Sequence, residues 1–346
     1  MGNQVDFKRF FYIFVAVAAP IVVMAAGRVA FAKFLPTSLK FEKTAAFVTE
    51  NASCAGTETE ARFWVAIAFF LLLFVCGVAV VTAIYVMFRN LRPRQAAAAI
   101  AAAIVIAWIA WKVGIEFGDG FLFAKLGNGL FEKTIGNPST CGPGLGLLEW
   151  FITRSNFAAI VAASFVAVAV GILAPAGLQV AKDENGAPPS KDVIDEMASN
   201  YAHKISDLKY LVISSSAVLF VGIVLAKAWL DWPLPFFADG AAAAKANYLK
   251  VAKSALTYET LYFVLILMAV FAPMALRLRA AAQALANTDP AIGQDEASQK
   301  RWLSSHGISL SIGEQVQRVI AIAAPFLGGP ALDLLKKLSE IGLGTG

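Results

Sequence analysis

The chain of 346 residues is 58% hydrophobic and only 15% charged, whereas a soluble domain carries about a quarter charged residues. So much apolar area exceeds what polar surface can screen, and lipid is the expected solvent for part of the molecule. The formal charge of +5 fits attraction to anionic headgroups better than a nucleic-acid surface, so no nucleic-acid partner is expected. Three cysteines and two histidines, without CxxC or HExxH spacing, leave metal and redox chemistry without a motif, and no cofactor is expected.

From the N-terminus, Lys8 and Arg9 precede an apolar run in the manner of a signal peptide. That run lacks a small-x-small cleavage site, so a retained first helix is expected, with a cleaved signal as the alternative. Six uncharged runs then mark membrane spans: Phe10–Gly27, Phe63–Phe88, Gln95–Trp111, Ser155–Ala181, Tyr210–Ala226 and Thr260–Leu276. Each is long enough to cross roughly 30 Å of hydrocarbon as a helix, the form in which a backbone in lipid satisfies itself within one segment.

Orientation follows from local charge. Arg89, Arg92 and Arg94 crowd the short connection after the second run, Lys8 and Arg9 precede the first, and Arg277 and Arg279 follow the sixth. Positive-inside bias places all of them in the cytoplasm, with both termini inside a cell inner membrane. Loops 35–62, 112–154 and 227–259 then face outward, carrying Cys54 and Cys141, and a disulfide between those two is expected in an oxidising space. Cys76, in mid-span, is expected to pack as a small apolar residue.

A threefold repeat is expected from short echoes. FAKFLPTSLKFEKTAAF from Phe31 resembles FAKLGNGLFEKTIG from Phe123, and LKVAKSALT from Leu249 echoes LKFEKTAAF from Leu39. LAPAGL from Leu173 likewise pairs with FAPMAL from Phe271. The expected class is therefore all-α: a polytopic membrane protein of six transmembrane helices in three tandem hairpins, with a cytoplasmic helical tail. Residues 1–279 form the membrane domain, its hairpins at about 1–94, 95–182 and 205–279, and residues 280–346 form the tail.

Individual side chains suggest little chemistry. Lys112 with Glu116 and Lys227 with Asp231 are i,i+4 pairs able to bridge on one helix face. Their position at helix ends, among Trp108, Trp111, Trp229 and Trp232, points to interfacial anchoring in an aromatic belt. Ser214, Ser215 and Ser216 are expected to bond their own backbone. Pro20, Pro175 and Pro273 are sites where helices can kink. Ala99, Ala103 and Ala107 on one helix, and Ala159, Ala163, Ala167 and Gly171 on another, form small-residue stripes that let backbones approach.

On the cytoplasmic side, Pro188–Lys209 places Ile194, Met197, Tyr201, Ile205 and Leu208 at helical spacing and is expected to lie on the membrane surface. His306 is expected to be solvated. Ser311 and Glu314 form a capping box ahead of the apolar stretch Val319–Leu327, which is too short to span.

No charged residue stands near the middle of a run, as coupled transport normally requires. Phe117-Gly118-Asp119-Gly120 fails the glycine spacing of an intramembrane aspartyl site, because Glu116 stands where a glycine is needed. No nucleophile–base pair or phosphate-cradling loop is present, so no enzyme is expected. The leading reading is an assembly, scaffold or complex subunit that self-associates or binds other membrane proteins in the bilayer. The alternative is a channel or transporter with its path among the hairpins.

Overall fold

In a computed structural model the described residues are 52–117, 128–174, 190–288 and 296–308, together with Ala18 and Val22. Apart from those two helical positions, the expected first span lies outside them. So do the first copy of the repeat from Phe31, Pro175, and the capping box and apolar stretch of the tail. Every regular element among the described residues is helical.

Seven α-helices follow in order: α1 Ala52–Asn90, α2 Pro93–Phe117, α3 Asn128–Lys133, α4 Leu145–Ile172, α5 Lys191–Asp231, α6 Ala242–Ala286 and α7 Glu296–Ser305. Single 3₁₀ turns at Pro138–Thr140 and Leu234–Phe236 lie between them. Five of the helices (α1, α2, α4, α5 and α6) are long and apolar enough to cross a membrane. The expectation of an all-helical chain with several potential spans therefore holds at that level.

Helix α1 is central. It packs against α4 on one side and α5 on the other; α2 lies on α4, and α6 lies on α5. Its sequence dictates this. Val65, Phe69, Leu72, Cys76, Ala79, Ala83 and Val86 recur every three or four residues and are buried. Phe70, Phe74, Val78, Val81 and Tyr85 occupy the opposite face and are exposed. A helix apolar all round, with only one face buried by protein, needs an apolar solvent on the other. Cys76 is the free, buried packer expected.

The α1–α2 turn is tight because its chemistry is local. Pro93 starts α2 with a preset φ and biases Arg92 away from helical geometry. The backbone closes by Leu91 N–H donating to Met87 (3.0 Å) and Ala96 N–H donating to Arg92 (2.9 Å).

Two large apolar cores stack along the bundle, with a small third cluster of Leu219, Ile223 and Val264 between α5 and α6. One surrounds the Arg89 end and includes Met87, Val168, Ile194, Leu208, Leu211, Leu278 and Leu285. The other surrounds the Trp232 end and joins Phe69, Phe131, Phe151, Trp229, Trp232, Phe236 and Tyr248.

Three helices outrun the apolar runs inside them. With 39, 41 and 45 residues, α1, α5 and α6 are about 58, 62 and 68 Å long at 1.5 Å per residue, roughly twice a hydrocarbon core. Residues 191–209 are consequently not a separate surface helix: they are the first five turns of α5, continuous with the apolar run. Ile194, Ile205 and Leu208 bury into the Arg89-end core, with Met197 and Tyr201 packed beside them. Helix α6 likewise passes through Pro273, and through the expected domain boundary at 279–280, without a break.

Candidate functional site

Among the described residues two buried carboxylates, Asp207 and Glu58, accept hydrogen bonds from side chains distant in sequence, one at each end of the bundle.

At the Arg89 end, the carboxylate of Asp207 on α5 is fully buried. Arg89 Nη1 donates to its Oδ1 at 2.9 Å, and Asn90 Nδ2 donates to its Oδ2 at 2.7 Å. The same Asn90 amide donates to Val86 O at 2.9 Å, which fixes its rotamer on α1. Arg89 Nη2 lies 2.7 Å from His203 Nδ1. A guanidinium has no acceptor, so this contact requires a neutral imidazole accepting at Nδ1, with its proton on Nε2. Arg89 thus holds α1 to α5 through two residues one helical turn apart.

A cavity of about 420 Å³ opens beside this cluster, lined by Arg89, Asn90, Glu196, Ser199, Asn200 and His203. Its lining presents hydrogen-bonding groups of both signs. The lining residues include no nucleophile held by a base. Among the described residues no group of three or more His, Cys, Asp or Glu could hold a metal ion.

At the Trp232 end, Glu58 is 1% exposed. Arg62 Nε donates to its Oε1 at 3.1 Å from one turn further along α1, and the buried Trp232 Nε1 donates to the same oxygen at 2.9 Å. Nearby, Tyr248 Oη donates to Leu230 O at 2.6 Å, tying α6 to α5. The loop after α3 is equally ordered: Thr140 Oγ1 lies 2.8 Å from both Thr134 O and Asn137 O. Cys141 follows with φ 68°.

The residues expected from sequence fall in several places. Lys227 and Asp231 do pair, on an exposed face of α5. Lys112 is exposed on α2, while the Glu116 side chain lies outside the described residues. The Cys54 side chain also lies outside them; Cys141 sits half-buried against the Trp232-end core.

Tryptophans divide. Trp108 is 61% exposed, as a belt residue would be, whereas Trp229 and Trp232 are buried. Their rings lie 5.5 Å apart, edge to face. They are core residues, because α1, α4 and the turn after α5 close over them. Ser214 and Ser216 bond the Leu211 and Val212 carbonyls as expected. The buried Ser215 Oγ has no hydrogen-bond partner among the described residues.

On α2, Ala103 and Ala107 are buried and Ala99 half-buried; on α4, Ala167 and Gly171 are buried, Ala159 half-buried and Ala163 exposed. His306 remains partly exposed but is not alone: its Nε2 approaches Asp195 on α5 at 3.4 Å, and its ring lies 4.2 Å from that of Trp302. Helix α7 packs on α6, which places that pair.

Asp207, His203, Glu58 and the joining role of Arg89 were not foreseen. One signal existed: Asp207 is a lone acid between Ile205 and Leu208, inside the apolar frame of an amphipathic helix. Its partner, 118 positions earlier, could not be paired with it from one sequence.

The fold and its apolar exterior define a multi-pass helical membrane protein. Comparison with protein-family models, curated proteins and solved structures found no match to the chain.

Proposed function

We propose that this is a non-enzymatic membrane subunit that assembles with copies of itself or with other membrane proteins. The observation carrying the proposal is the exposed surface of α2. Ala97, Ala98, Ala101 and Ala102 are all exposed in its first half, ahead of the larger exposed Ile104, Val105 and Trp108, whereas α1 exposes Phe63, Trp64, Phe70 and Phe74. Lipid tails wet either surface, but only the alanine face lets another helix backbone approach closely enough for packing to hold a complex. The ionisable side chains of the two end clusters join helices, and the apolar runs of α1, α2, α4, α5 and α6 contain no Asp, Glu, Lys, Arg or His. Glu259, just before the last run, is half-buried. That distribution favours assembly over ion-coupled transport.

In this reading the six expected runs span a cell inner membrane as three hairpins, with the Arg89 end and both termini cytoplasmic. Arg89, Arg92 and Arg94 in the shortest connection support that orientation. The Trp232 end is then extracytoplasmic, and Cys54 bridges Cys141. Cys76 is free and buried within α1, which leaves Cys54 and Cys141 as the two cysteines available to pair. Thiol labelling before and after reduction tests it: two labelled loop cysteines in the unreduced protein would exclude the bridge.

Mass measurement after mild detergent extraction tests the assembly. A complex larger than one 36.8 kDa chain is expected, and Ala98→Phe with Ala101→Phe should dissociate it. A lone chain at every detergent concentration overturns the proposal. Solute flux through liposomes containing the lone chain would establish the channel or transporter alternative.

A further inference from the structure

The cavity at the Arg89 end has features of a ligand site that the helix-joining role does not use. Its volume of about 420 Å³ falls within the roughly 300–1,000 Å³ typical of small-molecule pockets. We propose that it binds the phosphodiester of a membrane phospholipid whose headgroup carries a hydrogen-bond donor, such as phosphatidylglycerol or phosphatidylethanolamine.

The donors come first. Asp207 and His203 take up one N–H from each terminal nitrogen of Arg89, which holds the guanidinium plane and leaves further N–H groups for a phosphate oxygen. Ser199 and Asn200, exposed on the preceding turn of α5, supply a hydroxyl and an amide to the same cavity. The Arg89–Asp207 pair carries no net charge. Attraction therefore comes from Arg92 and Arg94, both exposed on the adjoining turn, and basic pockets between helices near the membrane surface suit anionic headgroups.

Glu196 then selects among headgroups. A carboxylate in the lining disfavours a bare phosphate dianion but accepts from the hydroxyls of a glycerol headgroup or the N–H groups of ethanolamine. Choline offers no such donor.

The surroundings favour a lipid over a soluble phosphate ester. Phe74, Val78, Val81 and Tyr85 are exposed on α1 and recur at three- or four-residue steps that lead to Arg89. Tyr210, Ile213 and Phe220 are exposed on α5, seven, ten and seventeen residues beyond His203. These exposed apolar residues, on the two helices that contribute the cavity lining, offer acyl chains an apolar surface below a seated headgroup.

This inference rests on the chain lying in a membrane but not on its assembling with a partner. One native mass spectrum separates the two, since protein mass reports assembly and added lipid mass reports the site. The full-length protein would be delipidated in detergent and titrated with phosphatidylglycerol, phosphatidylethanolamine or phosphatidylcholine of matched acyl chains.

One retained molecule per chain is expected for the first two, held at least about tenfold more tightly than phosphatidylcholine, a gap of about 1.4 kcal/mol. Ser199→Trp fills the cavity without touching the Arg89–Asp207 contact and should abolish that preference. Asn200→Leu serves as a second filling variant, and an unshifted thermal transition in either confirms folding. Equal retention of phosphatidylcholine, or unchanged retention in both folded variants, overturns the proposal. Displacement of the lipid by millimolar inorganic phosphate overturns it too, because the site would then be one for a soluble phosphate.

Discussion

Asp207 is the side chain on which most of the Arg89 end depends. An ion pair out of water gains little over a well-packed apolar pair, yet removing one partner strands the other. Asp207→Ala should therefore destabilise the protein by about 3 kcal/mol, the lower part of the range for buried pairs, because 32% of the Arg89 side chain remains exposed. The double variant Arg89→Met, Asp207→Leu should recover most of that loss. Unfolding in detergent, followed by circular dichroism, checks both, and a double variant no better than the single one would contradict the argument. A similar contrast applies to the tryptophans. Trp232→Phe keeps an aromatic ring but strips the Glu58 carboxylate of an N–H donor, an expected cost of about 1–3 kcal/mol. Trp108→Phe, at an exposed position, should change stability by less than about 0.5 kcal/mol. Equal effects in the same unfolding assay would return Trp232 to the aromatic belt.

Among the elements, the loop after α3 makes the sharpest demand on its sequence. A Cβ added at Gly142 would lie 2.4 Å from both Ile135 O and Thr134 O, the backbone that the Thr140 hydroxyl also binds. Those carbonyls belong to a closed turn and cannot yield as a flexible side chain could. Gly142→Ala should cost about 1–3 kcal/mol and expose the 134–144 segment to limited proteolysis, whereas Ser139→Ala, on the exposed side of the turn, should leave the cleavage pattern unchanged. The helices themselves were legible, because long uncharged runs admit few other structures in lipid. Their true lengths were not. Ile194, Met197, Tyr201, Ile205 and Leu208 give the same periodicity whether a helix lies along a membrane or rises from it. What decides is the presence of partners, here the end of α1 with α6 and α7, and those contacts are distant in sequence. The same reason hid the candidate site. Arg89 served well as a topological charge, but nothing local revealed that it reaches Asp207. Tryptophans at helix ends look alike in sequence whether lipid or Phe151 and Phe131 lies beside them.

Over the whole molecule, the lengths of α1, α5 and α6 impose an asymmetry. Each exceeds a hydrocarbon core of about 30 Å, and their surplus turns project in opposite directions. The first turns of α1 and α6 surround Trp232 with the loop after α3, while the first turns of α5 and the last of α6 surround Arg89 with α7. Each end thus carries a folded cap with its own buried carboxylate, and the two caps would face different compartments. In the proposed orientation, the arginines of the shortest connection put the Arg89 cap on the cytoplasmic side. Arg92, in the α1–α2 turn, and Ser139, in the loop after α3, are both exposed and lie at opposite ends, so they serve as reporters. With an impermeant maleimide on sealed cells, a chain carrying Ser139→Cys should label strongly above the wild-type background. A chain carrying Arg92→Cys should label only after permeabilisation, and by a similar amount. The reverse pattern would invert the topology and place the cavity of Arg89, Ser199 and His203 in the opposite leaflet. It would also leave Cys54 and Cys141 in the reducing compartment, where a bridge between them would not persist.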